Sequence, residues 1–536
     1  MKKIFLLLIS AVLYNSSRAQ TNINISNYTF NNNFDDTEPY IAVNPISPND
    51  LIAAWMKVTG VPVMSIATSY STNGGQSWST PANMPSLHNN FFKADVSIAY
   101  GGNGTAYICY IDYDPAFDSG YVMVASSINN GQTWSNPVKA ISGLESPDLP
   151  VDRPWIAVDQ NNGKIYVVSK SAEAGALPHH IWMKTSSDGG LTWTPRLQID
   201  NPSTVGLIYN SMGTLDVGPD GNVYVAYMSY DTIQNMFPRV LLKRSTDGGL
   251  TFTEHLIAYP VNGSAINDTL YQGSYCLKVN PTNGNNLVFI VTDARYGDPD
   301  ILAVYSTNGG LTWNGFSPWR VNNDGQNNGI GQDMCWGGFS PNGIFCAVWR
   351  DRRNGGTGSS ANFEIYTAAS LNGGQTFGPS YRISDQSSPV IPISKGNDFL
   401  GVAVTNTVLH TDWCDKRTNN TEIFTNCDSL SAIVTIKELE NAPKFSLLIF
   451  PNPTTSTIHY IINCDRAYDL AELSITDMQG KILLAEQIGS LQEGENNLIY
   501  ASFDKGKRIM FPGEYVMKVS IGKSSAVKKF TVIKNE

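Results

Sequence analysis

The chain contains six copies of one short phrase, and their spacing constrains its fold more than any other feature. Each copy reads Ser-x-(Asp/Asn)-x-Gly-x-(Thr/Ser)-(Trp/Phe), and the copies occupy residues 71–78, 127–134, 186–193, 245–252, 306–313 and 370–377. Asn or Asp can hydrogen-bond its own backbone and glycine accepts a positive φ, so each copy predicts a hairpin turn. The first serines lie 56 to 64 residues apart, about one four-stranded sheet with its loops. This periodicity predicts an all-β chain folded as a β-propeller.

A second pattern recurs between these phrases and consists of a strand, a Gly or Asn turn and another strand. Such units open near residues 37, 95, 153, 212, 274, 334 and 399. The last unit has neither the phrase nor a fourth strand, and residues 22–30 could supply that strand and close the ring. We therefore favour seven blades over six, in a propeller that spans residues 20–436.

Strand direction predicts which face of the propeller carries the functional site. If each blade's first strand starts at one face, here called the upper face, the turn phrases lie on the opposite, lower face. The starts of the first strands place ionisable residues close to the axis, namely Glu38, Asp95, Asp152, Arg153, Asp333 and Asp398. Acids and arginines that converge on a concave mouth are typical of a site for a polar ligand.

Carboxylates crowded at one mouth repel one another, so some keep a proton at unusually high pH or together hold a cation. Glu38, Asp95 and Asp152 are therefore the expected catalytic residues, one of them acting as acid or base. Arg153, Asp333 and Asp398 are expected to bind substrate. Two alternatives stay open: a Ca²⁺ site of hard oxygen ligands, and carboxylates that cap backbone amides at strand starts. No other cofactor is expected.

Further candidates lie in the loops and edges of the upper face. Three similar groups, each Asp-x-Arg, contribute Arg295, Arg353 and Arg417 as expected substrate-binding residues. The alternative is that each arginine pairs with a neighbouring carboxylate across its own hairpin. Tyr209 and Tyr271 precede the first strands of two units and are expected to line the site or stack on a sugar. The pair His179-His180 has no second ligand pair at metal spacing and is expected to be exposed.

The turn phrase resembles the Asp box, or BNR repeat, of the sialidase superfamily, and residues 37–430 carry the resemblance. It implies a sialidase-like propeller and, for a true sialidase, an arginine triad, a tyrosine nucleophile activated by a glutamate, and an aspartate as acid or base. In sialidases the first arginine belongs to an Arg-Ile-Pro phrase, where this chain has Glu38-Pro39-Tyr40. The nearest substitute is Arg153-Pro154, which lies at the register of Glu38. The replacement of the first arginine by Glu38 counts against sialic acid as the substrate.

Both ends of the chain carry predicted export signals. Met1-Lys2-Lys3, an apolar run and Ser17-Arg18-Ala19 predict a signal peptide over residues 1–19. Beyond a linker at 437–447, short alternating runs predict a small β-sandwich over residues 448–536. Three phrases there resemble the type A C-terminal sorting domain of the type IX secretion system of Bacteroidetes: Ile449-Phe450-Pro451-Asn452-Pro453-Thr454, Thr476-Asp477-Met478-Gln479-Gly480-Lys481 and Gly513-Glu514-Tyr515. The resemblance implies export across the outer membrane by the type IX machinery.

Composition narrows the classes of partner. The net charge of −10 is concentrated in the repeat region, which argues against nucleic acid. The 7 cysteines are an odd number, so we expect mostly buried free thiols rather than a disulfide scaffold. No apolar stretch after the signal peptide has the roughly 18 to 20 residues of a spanning helix. The mature chain is therefore expected to have no transmembrane segment. We also expect it to be a monomer.

These observations predict a secreted or surface-attached propeller that acts on an extracellular glycan or glycoprotein. The expected activity is that of a sialidase-like glycoside hydrolase, similar to an exo-α-sialidase. One alternative is a non-catalytic propeller that binds a glycan or a protein through the same face. Another is a polysaccharide lyase, which needs a Tyr or His base and a neutralising arginine.

Overall fold

The structure is a computed structural model of the chain. It describes residues 21–26, 35–60, 63–88, 90–116, 119–143, 151–171, 179–200, 208–210, 212–231, 235–257, 275–314, 317–358, 360–391, 399–435, 445–455, 457–478, 481–501, 503–504, 507–508, 511–521 and 524–534. The chain forms two compact units, Met1–Val434 and Thr435–Glu536. The predicted linker at 437–447 lies mostly outside the described residues.

The described part of the first unit contains seven antiparallel sheets, which are the blades of a propeller. A short strand, β1 (Ile23–Asn24), precedes them. Blades 1 to 3 are β2 (Asp35–Asn44), β3 (Ser47–Gly60), β4 (Val63–Ser71) and β5 (Ala82–Asn83); β6 (Phe92–Tyr100), β7 (Ala106–Tyr113), β8 (Gly120–Ser127) and β9 (Val138–Ser142); and β10 (Val151–Val158), β11 (Ile165–Ser171), β12 (Ile181–Ser186) and β13 (Leu197–Gln198).

Blade 4 differs from the others because its inner strand is in two pieces. Its strands are β14 (Ile208–Asn210), β15 (Thr214–Val217), β16 (Val223–Asp231), β17 (Asn235–Ser245) and β18 (Thr253–Ile257). Blades 5 to 7 are β19 (Tyr275–Val279), β20 (Leu287–Asp293), β21 (Asp300–Ser306) and β22 (Trp319–Arg320); β23 (Gln332–Phe339), β24 (Phe345–Asp351), β25 (Glu364–Ser370) and β26 (Tyr381–Arg382); and β27 (Gly401–Val404), β28 (Val408–Asp415) and β29 (Glu422–Ser429).

The first and last blades meet, so the blades form a closed ring. The inner strand β2 lies beside β6 of blade 2 and beside β27 of blade 7. β1 pairs with β29, with Ile23 opposite Thr425, and so completes blade 7 with a strand from the other end of the propeller sequence. This confirms the predicted closure by the segment at 22–30 and the preference for seven blades. Pairing also covers the outer edge of β29, which would otherwise be open to another chain.

The second strands are buried on both faces over most of their length because each blade packs between two neighbouring blades. β20 and β24 are buried at every position, which explains their continuous apolar runs. Burial of these side chains between blades supplies the main stabilisation of the ring.

The turn phrases connect third and fourth strands on the lower face, as predicted, and each is held by the same hydrogen bonds. The Ser186 hydroxyl accepts the Gly190 N–H at 2.9 Å and donates to Asp188 Oδ1 at 2.7 Å. The Trp193 indole N–H donates to the Gly190 carbonyl at 3.2 Å. The bond from the glycine N–H to the serine hydroxyl recurs in all six copies. The phrase is therefore a structural unit.

The described part of the second unit contains two larger sheets that share one core, in agreement with the predicted β-sandwich, and a small sheet of two strands. A short helix, α1 (Leu430–Thr435), follows β29 at the end of the first unit. The strands of the second unit are β30 (Phe445–Phe450), β31 (Thr457–Cys464), β32 (Tyr468–Asp477), β33 (Ile482–Leu491), β34 (Gly494–Ala501), β35 (Phe503–Asp504), β36 (Lys507–Arg508), β37 (Gly513–Ile521) and β38 (Ser524–Val532). One larger sheet has the order β30-β31-β34, the other has the order β33-β32-β37-β38, and the small sheet consists of β35 and β36. Tyr460, Ile475 and Met517 are among the buried residues between the two larger sheets.

The structure also bears on the expectations for the cysteines and for membrane-spanning helices. All seven cysteines are free thiols, and all except Cys427 are buried. Within the described residues, no helix is both long enough and apolar enough to cross a bilayer.

The turn phrase yields a stability prediction. Ser186→Ala removes a buried hydroxyl that both accepts and donates a hydrogen bond, and leaves the Gly190 N–H without its acceptor. We expect a loss of about 1 to 3 kcal/mol in the free energy of unfolding, measured by urea denaturation. The neighbouring Ser187 is exposed, so Ser187→Ala should change stability by less than about 0.5 kcal/mol. Equal effects of the two substitutions would contradict this account of the phrase.

Candidate functional site

A β-bulge interrupts four inner strands near their upper ends. The pairing register shifts between Thr37 and Tyr40 and at the equivalent positions of blades 2, 3 and 6. At each bulge one non-glycine residue has a positive φ: Glu38 (53°), Asp95 (51°), Arg153 (46°) and Met334 (51°). Such backbone is uncommon and costs about 1 to 3 kcal/mol per residue, and bulges redirect side chains. Three of these four residues are ionisable and lie at one height around the axis.

The bulges bring together three carboxyl groups, here called the carboxyl cluster: Glu38, Asp95 and Asp152 from blades 1, 2 and 3. The Arg153 backbone N–H donates to Asp95 Oδ2 at 3.1 Å and to Asp152 Oδ1 at 3.0 Å. Asp152 and Glu38 also lie close enough to Asp95 to influence its pKa through side-chain hydrogen bonding. Two carboxyl groups can share a hydrogen bond only when one of them holds a proton, so this proximity favours a protonated member of the cluster.

The environment separates the acidities of the two aspartates. Burial, together with the charge of Asp152, raises the pKa of Asp95 to about 7. Burial alone would also raise the pKa of Asp152, but the Lys170 ammonium and the Arg153 guanidinium outweigh it and lower that pKa. Lys170 Nζ lies 3.1 Å from Asp152 Oδ2; the lysine side chain is 1% exposed and the aspartate side chain 22%. The pair therefore offers a protonated acid beside an accessible carboxylate.

Tyr113 and Lys170 belong to this site, although sequence reasoning did not select either. Burial and the charges of Asp95, Asp152 and Glu38 all raise the pKa of Tyr113, which remains a phenol at neutral pH. Each residue lies at the upper end of a second strand, β7 or β11, where the sequence shows an ordinary strand end. Their position along the chain could have indicated them, because second strands end at the face where first strands begin.

Aromatic rings close the channel directly below the carboxyl cluster and are here called the aromatic floor. The rings belong to Tyr40, Trp155, Trp336 and Phe399, from blades 1, 3, 6 and 7. Trp155 stacks on Trp336 with ring centroids 5.0 Å apart and meets Phe399 edge-on at 5.4 Å. The Arg153 guanidinium lies 5.3 Å from the centre of the Phe399 ring. Aromatic faces below polar groups are typical of sugar-binding sites.

Asp333 lies at the bulge of blade 6 and is held by two arginines that sequence reasoning did not select. Arg350 Nε and Nη2 contact its two oxygens at 2.6 and 2.8 Å, and Arg352 Nη2 contacts it at 2.8 Å. Burial opposes ionisation, but the two guanidinium charges lower the pKa of Asp333 to about 2. Its predicted role in substrate binding stays a prediction.

Each of the three repeated arginines is bonded to the aspartate two residues before it. Arg295 and Arg353 each donate two side-chain N–H groups to the aspartate two residues earlier. Arg417 donates to Asp415 at 2.7 Å and also to Asp385. Their backbone N–H groups bond to the same preceding aspartates. This is the arrangement that the structural alternative describes, and the substrate contact predicted for these residues stays untested.

Other candidates fall outside the site or outside the described residues. Tyr271 and Asp398 are not among the described residues, and only the backbone of Tyr209 is described, in β14. Within the described ranges, no group of three His, Cys, Asp or Glu side chains is arranged to hold a metal ion.

The expectation of an exposed histidine pair was wrong. His179 is 1% exposed. His180 Nδ1 lies 2.9 Å from Asp200 Oδ2, and its ring meets Trp182 edge-on at 5.6 Å. A buried carboxylate and an aromatic ring within reach draw His180 inward, and the sequence pattern of the loop does not reveal either contact.

Comparisons with known proteins place two domains in the chain. Residues 117–333 match the BNR repeat-like domain, and residues 448–534 match the secretion system C-terminal sorting domain. The chain therefore contains both, and the second indicates type IX secretion and a secreted or cell-surface location. A search of curated proteins found no match.

The search of solved structures found matches at low sequence identity and with TM-scores below 0.5. The α-L-arabinofuranosidase Arb93A from Fusarium graminearum has a TM-score of 0.46 and 13% identity over 78% of this chain and 100% of that one. The Hadza microbial sialidase Hz136 has a TM-score of 0.43 and 15% identity over 71% of this chain and 76% of that one. A protein of unknown function from Dyadobacter fermentans has a TM-score of 0.44 and 15% identity over 66% of this chain and 98% of that one. Matches at this level say nothing about activity or site residues.

The acidity of Asp95 yields a pH-dependent stability prediction. Its folded pKa lies above the usual value, so its contribution to stability is present at about pH 4 and is lost as pH rises towards about 7. Asp95→Asn removes the buried negative charge. We expect its free energy of unfolding at about pH 8 to exceed that of the wild type by about 1 kcal/mol or more, with a smaller difference at about pH 4.

Urea denaturation of both proteins at the two pH values measures this effect. Asp188→Asn is the matched control, because hydrogen bonds to Thr192 lower the pKa of Asp188 and four other copies of the phrase have Asn there. It should show no gain at high pH. A gain as large as that of Asp95→Asn, or none in Asp95→Asn, would contradict the assignment.

Proposed function

We propose that the propeller is a glycoside hydrolase that acts on extracellular glycans, with its reaction at the carboxyl cluster. The observation that carries the proposal is that Asp95 and a partly exposed Asp152 accept hydrogen bonds from one backbone N–H, while Lys170 pairs with Asp152. The pKa of Asp95 is raised and that of Asp152 is lowered in this setting. Glycoside hydrolysis needs one carboxyl group that donates a proton and one that is ionised. The sorting domain supports an extracellular substrate.

Each residue has a defined role in this proposal. Asp95 protonates the leaving glycosidic oxygen, since its raised pKa retains a proton close to neutral pH. Asp152 stabilises the positive charge that develops on the sugar, or activates water, and Lys170 and Arg153 keep it ionised. Glu38 and Tyr113 orient sugar hydroxyl groups by hydrogen bonds, and the aromatic floor limits the depth of the site.

The substrate in this proposal is a glycan other than sialic acid. Glu38 stands where the resemblance to sialidases would place the first arginine. Arg295, Arg353 and Arg417 are held by aspartates of their own or the preceding blade, so the proposal assigns them no substrate contact. Arg153 is then the arginine next to the carboxyl cluster, and one guanidinium suits a hydroxyl-rich sugar as well as an acidic one.

A second candidate function is a glycan-binding propeller without catalysis. It is favoured by the direct contact of Asp95 and Asp152, since carboxyl groups that flank a scissile bond are usually about 5 Å or more apart. In this case the carboxyl cluster accepts hydrogen bonds from sugar hydroxyl groups and the glycan leaves unchanged.

The export route completes the proposal. Residues 1–19 direct the chain into the periplasm and are removed there, and the type IX machinery then recognises the sorting domain.

An activity assay separates these functions. The purified mature protein is incubated with a broad panel of glycans, and both bound and released sugars are measured. Asp95→Asn and Asp152→Asn should each lower the rate of release at least about 100-fold, because they remove the acid or the carboxylate. Melting temperatures should not fall for Asp95→Asn, and Asp188→Asn on the lower face should retain full activity.

Each outcome of the panel decides between the functions. Binding without release would establish the binding propeller and overturn the hydrolase. Unsaturated products that absorb in the ultraviolet would indicate a lyase. Full activity in Asp95→Asn would refute the assigned acid.

A further inference from the structure

A cavity of about 490 Å³ lies in the lower half of the central channel, separate from the carboxyl cluster. Tyr40, Trp155 and Trp336 line it, so the aromatic floor of the upper site is also its inner end. Its walls follow the inner strands down to turns of the lower face, including Gly218 and Pro281. Every residue that lines this cavity belongs to the described part of the chain.

One layer of side chains around this channel has small residues in four blades and charged residues in two. Ile156 N–H donates to Ser97 Oγ, which aligns the inner strands of blades 2 and 3, and Leu277 N–H donates in the same way to Thr214 Oγ1, which aligns those of blades 4 and 5. One or two residues further along, the strands of blades 1, 2, 3 and 6 carry Ala42, Ala99, Ala157 and Gly338. At the same height blades 4 and 5 carry Asp216 and Lys278. Small residues leave the space that these two side chains enter.

Asp216 and Lys278 differ in how many of their hydrogen-bonding groups have a partner. Asp216 Oδ1 accepts the Val217 N–H at 3.0 Å, and Oδ2 accepts the Val279 N–H at 2.8 Å. Neither a hydrogen bond nor an ion pair joins the Lys278 ammonium or the Tyr40 hydroxyl to another described residue. The cavity therefore has unused donors and an acid whose oxygens are already occupied.

Lys278 is half-buried and lines the cavity. Burial lowers the pKa of Lys278, but the negative charges that Tyr40 and Asp216 carry when ionised raise it. Because the pKa of Tyr40 is itself raised, the Asp216 carboxylate is the group that favours the ammonium near neutral pH. Unused donors on a half-buried ammonium favour a ligand or water that accepts from them.

We propose that this cavity is a second binding site, for a small carboxylate that carries a ring. The Lys278 ammonium and the Tyr40 hydroxyl donate to the carboxylate, and the ring lies against Trp155 and Trp336. The volume falls within the range of small-molecule sites, which are mostly apolar with a few polar groups that fix orientation. The site shares Tyr40, Trp155 and Trp336 with the floor of the upper site, but none of its lining residues belongs to the carboxyl cluster, so the proposal does not require the hydrolase.

Tryptophan fluorescence tests the proposal, since two of the lining residues are tryptophans. The full chain is titrated with sodium benzoate and, separately, with sodium glucuronate, and benzyl alcohol serves as the uncharged analogue of benzoate. We expect a saturable change with at least one carboxylate, and binding of benzyl alcohol at least about tenfold weaker than that of benzoate. Lys278→Met should weaken carboxylate binding at least about tenfold.

Two further variants keep the test decisive. Ala157→Leu fills the layer without altering a charge and should also abolish binding, whereas Asp95→Asn in the upper site should leave it unchanged. Lys278→Met should release sugar from a glycan as fast as the wild type, so failure of this site and failure of the hydrolase are distinguishable. No saturable response to either carboxylate, or equal affinity in Lys278→Met, would overturn the proposal.

Discussion

The bulge at the upper end of the inner strands is the constraint on which the candidate site depends. In a regular strand, alternate residues face the channel, and the next residue faces the neighbouring sheet. The extra residue and the positive φ at Glu38, Asp95 and Arg153 change that alternation locally and turn ionisable groups towards the mouth. The backbone strain costs about 1 to 3 kcal/mol at each position. Burial of second strands such as β20 and β24 between blades offsets it, so the ring can hold a strained and charged centre.

Repetition and variation along the chain separate structure from function. The turn phrases on the lower face repeat the same residues and make the same serine to glycine hydrogen bond in each blade. The Asp-x-Arg groups also repeat, and each arginine bonds to its own aspartate. By contrast, the four bulge positions carry four different residues, and the channel layer has charge in only two blades. Both of the binding sites proposed here therefore lie at positions that vary within an otherwise regular register.

The sequence predicted the ring, its closure by the N-terminal strand and the face on which the phrases lie. These features follow from local patterns: turn residues, alternating runs and strand direction. It also selected Glu38, Asp95, Asp152 and Arg153, which the structure places together because strand starts meet at the axis. Lys170, Tyr113 and the aromatic floor were missed, since their contacts join residues that are distant in sequence on different strands or different blades. A single sequence does not display the register that brings such residues together. His180 was misjudged because its contacts with Asp200 and Trp182 are likewise absent from the local pattern.

The state of the proton on the carboxyl cluster is the most direct measure of this account. Carbon-13 NMR of protein labelled at the aspartate side-chain carboxyl groups would follow each titration from about pH 3 to about pH 9. The account predicts that the carboxyl signal that disappears in Asp95→Asn titrates near pH 7 in the wild type and moves to lower pH in Asp152→Asn. If the carboxyl group of Asp95 instead titrates below about pH 5 and does not respond to Asp152→Asn, the proposed acid does not exist.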